Sequence, residues 1–264
     1  MPQLHPLSTT RHATIRWQRF TSYAFAGNQA VVPLAMAELP RAVGTLPIAF
    51  TATATGCQLV SVLGQEPGRN LFIAADGSWR GHYVPAQLRG HPFYLAPSGN
   101  GRYRVAIDEA SGLVGETGGE ALFDAEGNPS DALQPVLRFL KQLAQSRIAT
   151  DQACQALGRY GLLEPWSVAV TDEQGATRYL KGLYRIREAG LNELGGEALA
   201  ELRDAAGLWL AYGQLLGQSA FRRLSELARQ AAREPGNQPS AGLEFSQVFG
   251  SDDGLDFDWS QLDE

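Results

Sequence analysis

The first residues equipped for chemistry follow a turn signal. Asp76-Gly77 reads as a hairpin turn, because glycine tolerates positive φ and aspartate accepts local hydrogen bonds. Trp79, Arg80, His82 and Tyr83 come directly after it. Side chains alternate along a strand, so Trp79 and Tyr83 would share one face and Arg80 and His82 the other. Two aromatic rings beside a guanidinium can stack a planar or sugar-like ligand. The same rings serve equally as a cross-strand aromatic pair. Asp108, Glu109 and Ser111 form a second set, at the end of a strand. Adjacent carboxylates there can bind a cation or exchange protons with a substrate; they can also simply cap the next turn. If the fold joins the two sets, Trp79, Arg80, Tyr83, Asp108, Glu109 and Ser111 line a small-ligand or enzymatic cleft.

The four histidines, His5, His12, His82 and His91, show no HxH, HxxxH or HExxH spacing, which excludes a helix-borne zinc site. A two-histidine, one-carboxylate iron site would need His82, His91 and Asp108 to meet in space. There is no GxSxG, Walker A loop or GxGxxG. The glycine-rich stretch Gly115 to Gly119 carries Glu116 and no lysine, which suits turns better than phosphate. No metal and no cofactor is expected. Cys57 and Cys154 lie far apart with no CxxC pair, and both read as buried thiols among apolar or small neighbours.

The end of the chain is the most legible functional feature. From Glu234 onward there are eight acids and no Lys, Arg or His. Taking these from the net charge of −6 leaves residues 1–233 at +2. Leu243, Phe245, Val248, Phe249, Leu255, Phe257, Trp259 and Leu262 are interleaved with the acids. Large apolar groups in an acidic, unstructured segment are costly to leave in water without a use. The expectation is a docking segment for another protein, with Phe245, Val248, Phe249, Leu255, Phe257, Trp259 and Leu262 as contacts. A merely solubilising tail, a C-terminal export signal and docking onto the chain's own body are the alternatives.

Positioning these groups requires a scaffold, and the pattern predicts one. Residues 1–15 read as a flexible arm. Strands are expected at Pro47–Thr51, Gln58–Leu63, Leu71–Ala75, Pro92–Ala96 and Tyr103–Ile107, bounded by Gly, Pro, Asn and Asp. Gly99-Asn100-Gly101 gives a second turn, and a short helix interrupts around Pro33–Val43. Leu133, Leu137, Leu140 and Ala144 mark one helix face, capped by Ser130 or Asp131. A second helix starts near Thr150 and stops at Gly158 or Gly161. Trp166–Thr171 and Arg178–Ile186 form a hairpin about Asp172–Gly175. Leu199, Leu202, Ala206, Trp209 and Leu216 mark a further amphipathic helix, and Phe221–Ala232 continues or restarts it. The reading is α+β, a mainly antiparallel β N-terminal half packed with a helical C-terminal half. The body is 16–233, and the acidic segment 234–264 is joined by a linker from Pro235 to Gly242.

With 264 residues and 44% apolar content the chain can bury a proper core, and 19% charged residues rule out a polyelectrolyte. The acidic balance argues against nucleic-acid or anionic-membrane binding. Met1 to Phe20 holds no apolar core segment, so a cleaved signal peptide is not expected. Ala42 to Gln65 is uncharged but too rich in Gly, Pro, Thr and Ser for a membrane helix. A cytoplasmic protein follows by default, with export lacking a cleaved leader as the alternative.

Several stretches in order resemble the bacterial SapC family. They are Ala30-Val31-Val32-Pro33-Leu34 with Glu38, then Leu46-Pro47-Ile48-Ala49-Phe50. Asn70-Leu71-Phe72, Asp76-Gly77-Ser78-Trp79, Tyr83-Val84-Pro85 and Pro92-Phe93 follow. Ile107-Asp108-Glu109-Ala110-Ser111, Gly119 to Asp124 and Gly127-Asn128-Pro129 come next. Gly161-Leu162-Leu163-Glu164-Pro165 and Gly182-Leu183-Tyr184 complete the set, which spans about residues 22–224. The resemblance implies a soluble protein of Gram-negative bacteria associated with surface layers or outer-membrane uptake loci, and brings no catalytic residues. The expected function is therefore a non-enzymatic accessory or interaction protein, with self-association open beside the partner protein. The ligand-binding or enzymatic cleft, metal-dependent or not, is the alternative.

Overall fold

The computed structural model describes residues 3–54, 56–98 and 102–233. In chain order the first elements are β1 (Leu4–Pro6), α1 (Thr9–His12), β2 (Arg16–Trp17) and β3 (Val31–Pro33). Next come α2 (Leu39–Ala42), β4 (Ile48–Thr53), β5 (Gly56–Val62), α3 (Ala86–Arg89), β6 (Phe93–Pro97) and β7 (Tyr103–Asp108). Two short strands, β8 (Val114–Gly115) and β9 (Glu120–Ala121), precede α4 (Gln134–Arg159). The hairpin β10 (Leu163–Thr171) and β11 (Thr177–Ile186) leads into α5 (Glu188–Asn192), α6 (Gly196–Asp204), α7 (Gly207–Gly217) and α8 (Arg222–Ala231). Every strand pairing is antiparallel, and helices dominate the C-terminal half, so the fold is α+β.

The body forms two compact units rather than one, and each is discontinuous in sequence. Unit 1 takes its described residues from 3–21 and 87–148. Its larger sheet has the order β1-β7-β6, and a small one has the order β8-β2-β9. The N-terminal stretch is built into this unit instead of forming a flexible arm. Leu4, His5 and Pro6 pair with Asp108, Ile107 and Ala106, and Leu7 is only 2% exposed. Ser8 caps α1 by accepting a hydrogen bond from the Arg11 amide. Leu7, Trp17, Phe93, Ile107, Leu122, Leu133 and the α4 leucines 137 and 140 share one apolar core. Trp17 meets Phe93 edge to face, with centroids 5.0 Å apart.

Unit 2 takes its described residues from 22–86 and 149–233, around a five-stranded sheet in the order β10-β11-β4-β5-β3. The β10–β11 register slips between Trp166 and Val168, and Gly182 sits at that bulge with φ +78°. The Asp172–Gly175 turn forms as expected: the Asp172 side chain accepts from the Gln174 and Ala176 amides.

Several expected elements differ. The predicted break near Thr150 is absent, and α4 is one continuous helix. The Thr150 hydroxyl, free in principle to start a new helix, instead accepts from the Met36 amide at 2.8 Å. Leu71–Ala75 is no strand; a single bridge, Ile73 to Trp79, flanks the Asp76-Gly77 turn. The helix expected over Pro33–Val43 shrinks to a 3₁₀ turn at Met36–Glu38 followed by α2. The turn Gly99-Asn100-Gly101 and the segment 234–264 lie outside the described residues.

Candidate functional site

The Trp79 set lies in unit 2 and does not alternate along a strand. The chain curls after Trp79, so that its indole N–H donates to the Tyr83 carbonyl at 2.9 Å. Gly81 permits the curl, because a Cβ there would stand 2.7 Å from the Trp79 indole nitrogen. The Trp79 ring stacks on Phe72 at 5.3 Å. The Arg80 guanidinium donates to the Leu71 carbonyl, and His82 is exposed. Tyr83 is buried and donates its hydroxyl to Glu38 at 2.9 Å.

Glu38 organises this region, although its type and spacing point to no role beyond a place in the family pattern. It is 5% exposed and accepts from the Ala35 amide (2.8 Å), the Ala86 amide (2.6 Å) and Tyr83. A buried carboxylate needs that number of donors to offset its lost hydration. Its chemistry here is structural: it ties the segment after β3 to the segment before α3.

The Asp108 set lies in unit 1. Asp108 is 6% exposed, and one carboxylate oxygen accepts from the Gln3 and Ala110 amides. Ser111 accepts from the Leu113 amide. Glu109 is clamped by Arg11 at 2.5 and 2.8 Å and lies 3.2 Å from His12 Nε2 and 3.6 Å from His5. The Arg11 hydrogen bonds hold its carboxyl well below the ordinary range, at about 2. A carboxylate so occupied is a strap across β1, α1 and β7, not a proton carrier near neutrality. The structure thus brings Asp108, Glu109 and Ser111 together in one unit and Trp79, Arg80 and Tyr83 together in the other.

His91 lies just before β6. It is 5% exposed, and its Nδ1 lies 3.0 Å from the Tyr94 hydroxyl. Burial pushes the imidazole down to about 4, against an opposing pull from Asp108, and pushes the Tyr94 phenol up to about 12. An open cleft of about 380 Å³ lies beside it, lined by Trp17, Arg19, Phe20, Arg89, His91 and Phe139 among others. Among the described residues, no group of three or more His, Cys, Asp or Glu side chains is placed to hold a metal ion.

The feature that pattern reading missed is α7. The predicted amphipathic helix over Leu199–Leu216 is two helices, α6 and α7, broken at Ala206 with φ +56°. The break resets the phase, so Trp209 and Leu216, expected on the core face, point outward. Trp209, Tyr212 and Leu216 recur at i, i+3 and i+7 and are 52%, 52% and 66% exposed. The inward face instead carries Gly207, Leu210, Ala211, Gly213, Gln214 and Gly217. A Cβ on Gly213 would lie 2.8 Å from Leu39, and one on Gly217 3.0 Å from Ile48. Gln214, fully buried, accepts from the Ile186 amide at 3.0 Å. Small residues bring this helix close to the sheet and leave its large apolar side chains in water.

The SapC family model matches residues 7–224, which covers both units and stops short of the acidic segment. The chain belongs to the SapC family. No curated protein and no solved structure matched it. In this SapC-family body, no helix among the described residues is long and apolar enough to cross a membrane.

Proposed function

We propose that this SapC-family protein is a non-enzymatic accessory protein that docks another protein through its acidic, aromatic C-terminal segment. The observation that carries the reading is the composition of residues 234–264, with eight acids, no base and the apolar series Phe245, Val248, Phe249, Leu255, Phe257, Trp259 and Leu262. A partner groove that takes such a segment offers apolar pockets with a basic rim. The outward face of α7 supports the same reading, since the body too carries surface suited to contact with a protein. The internal bonding of Trp79 and Tyr83, and the clamping of Glu109, weigh against the alternative of a ligand or catalytic cleft. The reading keeps the family's association with surface layers and outer-membrane loci. It places the protein in the cytoplasm, with leaderless export and self-association as alternatives.

The test compares the full chain with a chain ending at Arg233 as baits in extract of the source bacterium. Captured proteins are identified and then rebound in purified form. One partner bound by the full chain, lost on truncation and lost in the double variant Phe257→Ser, Trp259→Ser supports docking. Equal capture by both baits overturns it, as does binding of the isolated segment to the truncated chain in place of any partner.

A further inference from the structure

The chain has two cysteines, 97 residues apart, and unit 2 brings them into contact. Cys57 lies on β5 and Cys154 on α4, with the Cys57 sulfur 3.8 Å from the Cys154 carbonyl oxygen. That contact is a hydrogen bond from the Cys57 thiol to the Cys154 carbonyl. Cys154 is 2% exposed, whereas Cys57 is only partly buried. Both line an open cleft of about 580 Å³, together with Gln155, Gly158, Arg159 and Tyr184. Tertiary contact between the only two thiols in 264 residues, at the wall of an opening of that size, is more than packing requires.

We propose that Cys57 and Cys154 form a thiol–disulfide exchange site whose substrates are low-molecular-weight disulfides. The accessible Cys57 thiolate attacks one sulfur of the small disulfide. The substrate S–S bond breaks, a mixed disulfide forms on Cys57, and the first small thiolate leaves and takes a proton. Cys154 then loses its proton to solvent and attacks the Cys57 sulfur. The second small thiol is expelled, and the Cys57–Cys154 disulfide remains. The protein dithiol gives up two electrons and two protons, and the small disulfide becomes two thiols. The cleft has room for the half of the substrate that stays attached, and the exposed Arg159 offers a cation to a carboxylate on it.

The division of labour follows from burial: Cys57 is partly open to the cleft and Cys154 is not. The neighbouring Cys154 also lowers the Cys57 thiol pKa, and the pairing with Cys57 together with burial raises that of Cys154. Asp151 opposes the first effect, since its charge raises Cys57. Attack therefore falls to Cys57 and resolution to Cys154.

The test uses the full chain, reduced and then mixed with glutathione disulfide, with products read by intact mass and peptide mapping. The wild type is expected to lose two hydrogens, retain no glutathione and link Cys57 to Cys154. Cys154→Ser should stop at a stable mixed disulfide on Cys57, and Cys57→Ser should remain unmodified. Cys154→Ala, which removes the neighbouring thiol, should slow attack by Cys57 roughly three- to tenfold near neutral pH. Retention of glutathione by the wild type, or modification of Cys57→Ser at the wild-type rate, overturns the proposal. Circular dichroism of each variant confirms that an unreactive chain is a folded one.

Discussion

Lowering the pH from neutral to about 5 should destabilise unit 1 through one side chain, His91. In the fold the imidazole is held neutral by burial, with its pKa brought down from 6.5 to about 4. The charged and titratable groups around it are Asp108, which pulls the other way, Tyr94, and Arg19 and Arg89 along the same cleft. The sign follows from proton counting. Between 6.5 and about 4 the unfolded chain binds a proton that the folded chain refuses, so stability is full above 6.5 and falls with pH through that window. Those two values give a loss of about 1.4 kcal/mol near pH 5.5 and about 2 kcal/mol near pH 5. Glu109 adds little down to pH 5, because its lowered pKa matters chiefly as pH falls from 4.5 toward about 2. The assay is urea unfolding from pH 7.5 down to about 5, with hydrogen exchange of the β6 and β7 amides as the local readout. His91→Gln should be less stable at neutral pH and show a flatter pH profile. NMR of the ring should place its midpoint well below 6. The same slope in wild type and His91→Gln, or a ring titrating near 6.5, would refute the argument.

Two further outcomes follow from geometry. Along α7, bulk should be costly inward and cheap outward. Gly213→Leu, driven into Leu39, should lose about 1–3 kcal/mol, while Tyr212→Ser and Leu216→Ser should stay within about 0.5 kcal/mol by urea melt; equal losses on both faces would contradict the assigned phase. Glu38→Ala strands three donors and should cost about 3–5 kcal/mol, against roughly 1.5–3 kcal/mol for Tyr83→Phe, which removes one; a Glu38→Ala protein as stable as wild type would show that the carboxylate does not bind these segments together.

Where local chemistry decided the structure, it was legible. The Asp172–Gly175 hairpin, the Asp76-Gly77 turn and the pair β4–β5 arise from turn residues and alternation that tertiary contacts did not override. Leu133 and the α4 leucines 137 and 140 likewise announce their buried face. What a linear pattern cannot carry is long-range partnership. Nothing near Thr150 shows that Met36 will occupy its hydroxyl, so the pattern predicts a helix start where none exists. Nothing in residues 4–6 shows that Asp108 lies opposite, so a paired strand looks like an arm. The phase of α7 was lost at Ala206, an alanine with positive φ that no composition rule flags. Of the candidate sites, the members of each set stay neighbours, but their hydrogen bonds run to Glu38, Gln3 and Arg11, which are remote in sequence. The meeting of Cys57 and Cys154 is of the same kind, visible only once β5 and the C-terminal part of α4 share a unit.

The pairing of Leu4 with Asp108 has a consequence for biosynthesis. A ribosome adding roughly 5–20 residues per second needs on the order of 5–20 s to deliver the strand that β1 must join. Through that interval Leu4 and Leu7 emerge without their mates, and unit 1 cannot close until the chain has passed through much of unit 2. A nascent chain of this design must keep Leu4 and Leu7 out of premature associations until β7 has emerged.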